Sequence, residues 1–163
     1  MTGTSRPDVS LDVTCAERLV AVLLPLMRQL SVEAEAAGGD GLTMAQFRLL
    51  AALVRRAYTA GELACHLGVA ASTVTGLVAP LAKRGLVERG QDAADRRVVA
   101  LRVTEHGLAC YRQMEERVLL FLTGVFTGLP LETKQALLLG LNALDRAIGR
   151  QRHGAFNGHP DRW

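Results

Sequence analysis

The stretch from Thr59 to Gly107 limits what this chain can fold into more than any other part of it. Thr59 and Glu62 stand three apart at the head of a short apolar run. That spacing makes a capping box, in which each residue satisfies a free backbone N–H of the other. Gly68 supplies a turn. A second run, from about Ala71 to Arg84, repeats Val74, Leu77, Val78 and Leu81 at helical spacing. Those four require a core, so Ser72, Thr73, Thr75 and Gly76 are turned outward near the start of that helix. Pro80 lacks the N–H that would bond the Gly76 carbonyl, which predicts a kink between the two. Gly85 suits a helix C-terminus. Leu86–Arg89 and Val98–Val103 read as strands, and the polar link from Gly90 to Arg97 is long enough to project as a loop.

Two short helices around a Gly turn, followed by a hairpin with an Arg-bearing loop, give a helix-turn-helix with a β-wing. Polar side chains at the N-terminal end of the second helix are where such a module meets the base edges of double-stranded DNA. Net charge is only +3, but five basic residues (Lys83, Arg84, Arg89, Arg96, Arg97) stand against three acids (Glu88, Asp92, Asp95) between positions 83 and 97. The alternative at this point is an ordinary helical domain with a solvated hairpin.

The rest of the chain reads as helix. Apolar residues make up 49% and aromatics 4%, which favours a mostly α protein. A long helix is expected over residues 12–37, with Leu19, Val20, Leu23, Leu26, Met27 and Leu30 in series and Val22 and Leu24 widening the stripe. A helix apolar on more than one side faces both its own domain and a partner. Pro25 should bend it. Gly38–Gly41 ends it, and Thr43 with Gln46 opens the next helix as a second capping box, followed by Phe47, Leu49, Leu50 and Leu53. Further helices are expected from Thr104 to about Thr127 and from Leu131 to about Arg150, broken at Gly128 and Pro130. The ends, to about Ser10 and from about His153, read as loose tails. The expected organisation is one domain over residues 1–163.

Several functions find no support. No apolar run reaches the roughly 18 residues that a membrane span requires, and MTGTSRPDVSLDV has no apolar core of a secretory signal. Three widely spaced cysteines form no disulfide framework, so a reducing, cytoplasmic setting is expected. No nucleophile, base and orienting group assemble, no Gly-rich phosphate loop is present, and neither an enzyme nor a cofactor is expected. His106 and Cys110 lie one helical turn apart, but two ligands do not make a metal site.

Three segments resemble one family closely: Ala64 to Thr75 ("LGV…STVT"), "LAKRGLVER" from Leu81 to Arg89, and "DRRVVALRVTEHG" from Asp95 to Gly107. On these residues the chain resembles the MarR-type (multiple antibiotic resistance) winged helix-turn-helix regulators, over about residues 12–151. The resemblance implies a DNA-binding transcriptional regulator, a repressor released by a phenolic or amphipathic ligand. It implies a homodimer, with residues 12–37 and 104–151 as dimerisation helices and residues 43–103 as the DNA-binding module. The operator would be a pseudo-palindrome with half-sites about one helical turn, roughly 34–36 Å, apart.

By the family's pattern Arg97 is the wing-tip residue for the minor groove, with Asp95 fixing its side chain. A narrow A·T-rich groove concentrates negative potential and draws Arg in. Arg96, Arg89, Arg84 and Lys83 become phosphate candidates. The sequence departs from the pattern at Gly76, where the family is often basic, and at Ala70, often a capping Ser or Asp; both weaken readout by the helix. The resemblance also implies a ligand cleft, for which Arg18, Met27, Phe47 and Tyr111 are the candidates. One branch of the family senses peroxides through a cysteine near the start of the first helix, and Cys15 is the candidate here, though no tyrosine that could support its thiolate precedes Tyr58. Cys65 and Cys110 are expected in packing. A winged-helix module that docks a protein instead of DNA is the remaining alternative.

Overall fold

The computed structural model describes residues 9–35, 41–91 and 99–156. In order they form α1 (Val9–Glu35), α2 (Met44–Arg55), α3 (Ala60–Leu67), α4 (Ala71–Lys83), β1 (Val87–Gln91), β2 (Val99–Val103), α5 (Glu105–Thr127) and α6 (Leu131–Phe156). The fold is mostly α, with one two-stranded antiparallel sheet, as the sequence implies. No single helix among the described residues is long and apolar enough to cross a membrane. The chain divides into two compact units, residues 1–118 and 119–163.

The core of the first unit is apolar throughout. Leu49, Leu50 and Leu53 of α2, Leu63 of α3, and Val74, Val78 and Leu81 of α4 converge on Leu86, Val87, Leu101 and Met114. Each fully buried Leu or Val stabilises the fold by roughly 1.5–3 kcal/mol relative to exposure. Both capping boxes form. The Gln46 amide donates to Thr43 Oγ1 at 3.2 Å and the Thr43 amide to Gln46 Oε1 at 3.0 Å. Tyr58, just before α3, exchanges two backbone hydrogen bonds with Leu101, 3.2 Å and 2.7 Å long. That bridge covers the side of β2 that β1 does not pair.

The start of α5 is fixed by a close approach. Thr104 Oγ1 donates to the Gly85 carbonyl at 2.6 Å and accepts from the Gly107 amide at 3.0 Å. The Thr104 amide donates to the Leu86 carbonyl at 3.1 Å. A Cβ at position 107 would be driven into that same carbonyl oxygen and come within 2.9 Å of Val103 Cγ2. Only a residue without a side chain fits here. The Thr-x-x-Gly sequence is therefore the clamp between the end of β2, the turn after α4 and the root of α5.

The second unit holds the end of α5 and α6. Its described side chains include none that is fully buried. Leu120, Leu131, Leu138 and Leu139 are 73%, 70%, 61% and 72% exposed. In the first unit α1 is similar, with Val20, Val22, Leu23 and Leu24 all exposed.

Several boundaries differ from expectation. Helix α1 begins at Val9, and α6 continues to Phe156, so both run into segments that read as tails. Nothing in those segments breaks a helix before its observed end. Strand β1 covers Val87–Gln91, so Gly90 belongs to the ladder, paired with Ala100, and Leu86 lies before it. Helix α4 stops at Lys83, one residue before the expected Arg84, with Pro80 inside it.

Candidate nucleic-acid interface

The helix-turn-helix is held at three joints. At the first, the Glu62 amide donates to Thr59 Oγ1 at 3.1 Å and the Thr59 amide to Glu62 Oε2 at 2.7 Å. The backbone N–H of Thr59, then its hydroxyl, holds the Glu62 carboxyl below its ordinary pKa against a small opposing cost of burial; Arg56 adds to the effect from 3.3 Å. The Arg56 guanidinium also lies 3.7 Å over the Tyr58 ring, an arrangement that favours a cation over the ring face. At the second joint Gly68 adopts φ 67° and ψ 38°, the left-handed region that glycine enters without strain. The Val69 amide then returns to the Ala64 carbonyl at 3.0 Å. At the third, Gly85 (φ 69°) ends α4 and turns the chain into the hairpin.

These joints fix which face of α4 looks out. Val74, Val78 and Leu81 are fully buried at i, i+4 and i+7. Ser72, Thr73, Thr75 and Gly76 are exposed, as the apolar spacing requires. Thr75 Oγ1 donates to the Ala71 carbonyl at 3.1 Å, leaving its lone pairs outward. Ala70 is the N-cap and supplies no side-chain hydrogen bond. The Thr73 amide donates to the Ala70 carbonyl at 3.0 Å, and no side chain caps the amides of Ala71 and Ser72 before it.

The basic candidates divide. Lys83 and Arg89 are exposed, and Arg89 stands with Thr75 on a cleft of about 250 Å³ between α4 and the root of the hairpin, floored by Val74, Val78 and Leu101. Arg84 turns inward and donates to the Gly41 carbonyl at a long 3.5 Å. Arg102, not singled out by sequence, is opposite Glu88 in the ladder and donates through Nη2 to the Gln91 carbonyl at 3.1 Å. It thus ties the point where the wing leaves β1. Strand β2 buries Ala100 and Leu101 in succession, so no clean alternation marked Arg102 in advance. Asp95, Arg96 and Arg97 lie outside the described residues.

Of the ligand-cleft candidates, Phe47 and Tyr111 come together, stacked with centroids 5.1 Å apart and planes 14° from parallel. Burial, then a 2.6 Å hydrogen bond from the Tyr111 hydroxyl to Glu115 and that carboxylate's charge, pushes the Tyr111 pKa up to about 12. Met27 is exposed on α1, as is Arg18, and neither shares a hydrogen bond, ion pair or ring contact with that pair among the described residues. A larger cavity, about 460 Å³, has a different lining: Gly41 and Leu42, Arg84, and His106, Cys110, Gln113, Met114 and Arg117 of α5. Sequence gave no sign of it, because its walls are far apart in the chain.

The cysteines differ from expectation in two places. Cys65 is exposed, not packed, because it follows Leu63 and Ala64 around α3 onto the solvent side. Cys15 is exposed, and since α1 starts at Val9 it sits in the second turn. Free amides and most of the helix dipole's effect are confined to the first turn. Cys110 is partly buried against the core, as expected.

The same arrangement of elements occurs in known proteins. The model of the MarR family matches residues 40–98. Over 87 residues the chain is 36% identical to YfiV of Bacillus subtilis, described as an uncharacterized HTH-type transcriptional regulator; the match covers 53% of this chain and 54% of that protein, about half the relative's length. The transcriptional regulator Tm0710 of Thermotoga maritima is 32% identical, with 83% of this chain and 96% of that one covered at a TM-score of 0.59. A MarR family protein of Bacillus stearothermophilus is 26% identical, with 86% and 97% covered at a TM-score of 0.73. With its winged helix-turn-helix, its Thr-x-x-Gly clamp and these likenesses together, the chain belongs to the MarR family of transcriptional regulators.

Proposed function

We propose that this chain binds double-stranded DNA as a homodimer and represses transcription until a small amphipathic ligand releases it. The observation that carries the proposal is the polar face of α4. Ser72, Thr73 and Thr75 are exposed together at the N-terminal end of the second helix, on a rigid apolar base. The uncapped amides at that end suit phosphate, since partial positive charge gathers there. Gly76 and Ala70 leave few side chains for direct base readout, so specificity rests more on the wing and on DNA shape. Arg97 is the residue for the minor groove, held by Asp95, with Arg96, Arg89 and Lys83 on phosphates.

The exposed leucines and valines of α1, and those of the end of α5 and of α6, support the homodimer. Exposed apolar surface on this scale marks a protein interface. Residues 12–37 and 104–151 are the dimerisation helices in this reading, and residues 43–103 the module that meets DNA. The printed descriptions of YfiV and Tm0710 as transcriptional regulators support the role in transcription.

A gel-shift assay with duplex DNA from upstream of the chain's own gene tests the reading. Binding should be saturable, and its affinity should fall steeply with salt because phosphate contacts release counterions. Arg97→Ala should weaken binding by about tenfold or more and leave the circular dichroism spectrum unchanged. Normal binding by that variant would remove the wing assignment. Failure of every such duplex to shift would leave docking of a protein as the function of the module. Repression predicts that transcription of the adjoining gene rises when the chain is deleted; a fall would make it an activator.

A further inference from the structure

We propose that Arg102 is a positioning residue for the wing. It braces the hairpin on the diagonal and sets the direction in which the chain leaves β1 toward DNA, without itself touching DNA. This role rests on the DNA-binding reading given above.

The hairpin has two unequal faces. Val87, Leu101 and Val103 turn to the core, and Glu88, Gly90, Ala100 and Arg102 share the other face, because side chains alternate along a strand. Register sets Arg102 opposite Glu88 and Gln91 opposite Val99. The guanidinium makes no ion pair with Glu88 among the described residues. It reaches past that neighbour, and Nη2 donates to the Gln91 carbonyl at 3.1 Å. Gln91 stands three residues, about 10 Å, along β1 from the Glu88–Arg102 pair. Gly90 leaves the path open, since a Cβ there would stand 3.9 Å from Arg102 Nε. The side chain thus lies across the Gly90–Ala100 pair. Ala100 is fully buried yet stands outside the apolar core, as a residue covered by this side chain would.

The brace acts where the ladder has least support. Val87 and Leu101 rest on the core, and Tyr58 holds the outer edge of β2 at Leu101. Toward Gln91 and Val99 only the two strands remain, and a two-stranded ribbon twists more than a wider sheet. A link on the diagonal resists the shear and twist that the rungs of a ladder allow. Arg102 also keeps Nε buried with no hydrogen-bond partner. An N–H left unpaired in this way is unfavourable. The residue is only partly buried, so its charged head could turn to water instead. Holding it in place costs stability, and the return is a fixed Gln91 carbonyl.

Gel-shift titration of the full chain with duplex DNA from upstream of its own gene tests the role. Arg102→Met keeps a long apolar stem over Ala100 and removes every donor. It should weaken binding by about fivefold, and by no more than Arg97→Ala does. Its urea midpoint should equal or exceed the parent's, since the unpaired N–H is gone; a residue that only supports the fold would lower it. In an Arg97→Ala background the same change should add less than about twofold, whereas a direct phosphate contact would add its full effect. Gly90→Ala, which the 3.9 Å spacing admits, should bind like the parent. Gly90→Leu, whose branched head contends for the guanidinium's place, should bind like Arg102→Met. Without DNA, amide exchange at residues 90, 91, 99 and 100 should quicken by about fivefold or more in Arg102→Met, with residues 87 and 103 unchanged. The proposal is overturned if Arg102→Met binds like the parent, lowers the urea midpoint, keeps its full effect in the Arg97→Ala background or leaves the exchange unchanged. The Gly90 pair decides the matter if Arg102→Met fails to fold. Normal binding by Arg97→Ala would remove the wing reading itself; a normal Arg102→Met beside a weakened Arg97→Ala would remove the brace alone.

Discussion

Replacing Gly107 by alanine should unfold this protein more readily than replacement of any of its exposed helical glycines. In an unconstrained helix the change stabilises by roughly 0.5–1 kcal/mol, because alanine has less backbone freedom to lose. At position 107 the new methyl meets the Leu86 carbonyl oxygen head-on and crowds Val103 Cγ2 at 2.9 Å. Neither neighbour can yield cheaply. Leu86 is fully buried, and its carbonyl already accepts the Thr104 amide at 3.1 Å. Overpacking of this kind costs about 1–3 kcal/mol. Moving the first turn of α5 away to relieve it strains three hydrogen bonds, at 2.6, 3.0 and 3.1 Å, each worth about 1 kcal/mol. The clash and the shift that relieves it are alternatives, so after the propensity gain the net loss is about 1–3 kcal/mol by either route. Equilibrium unfolding in urea, followed by circular dichroism at one fixed protein concentration, measures it. Gly76→Ala is the matched control, since a Cβ there meets nothing within 4 Å. It should gain roughly 0.5–1 kcal/mol. If Gly107→Ala is as stable as the parent, the close approach is not what holds α5, and the clamp argument fails.

Three further outcomes follow from the same geometry. Thr59→Ala removes the acceptor of the Glu62 amide and should cost about 1 kcal/mol in urea unfolding. Glu62 has a lowered pKa in the folded state, so its contribution is present above the ordinary carboxylate range and is lost as pH falls through the folded value. Glu62→Gln should therefore flatten the acid limb of the stability curve, and an unchanged limb would contradict the assignment. Tyr111 has a raised pKa, so its contribution is full below the unfolded value of 10.0 and is lost as pH rises through about 12. In a Tyr58→Phe background, absorbance near 295 nm should show Tyr111 ionising at about 12; Tyr111→Phe should remove that step. Ionisation near pH 10 would show that Tyr111 is not buried against Phe47 in solution.

What could be read in advance was local. A capping box occupies four residues, and both boxes formed as read. Gly68 and Gly85 took the left-handed backbone that their positions after apolar helical runs imply. Val74, Val78 and Leu81 fixed the outward face of α4 through spacing alone. The Thr-x-x-Gly pattern was legible as a resemblance, but not its cause, because Leu86 and Gly107 meet only in the folded chain. The cavity was illegible for the same reason, with Gly41, Arg84 and Arg117 brought together from distant segments. Helix ends at Val9 and Phe156 were missed although Pro7 and Asp8 precede the one and Asn157, Gly158 and Pro160 follow the other, residue types that mark such ends. The exposure of Cys65 was missed because a two-turn helix offers too few residues to define its apolar side.

The bridge between Tyr58 and Leu101 has a consequence for any control of this protein. Two backbone hydrogen bonds, of 3.2 Å and 2.7 Å, join the lead-in of α3 directly to the strand that carries the far side of the wing. The helix pair and the root of the hairpin are thereby tied through backbone as well as through their shared apolar core. A signal that moved the lead-in of α3 would carry the hairpin root with it. In the dimer proposed above, an effector would then act on the spacing of two such modules and leave the joined helix pair and hairpin root of each unchanged.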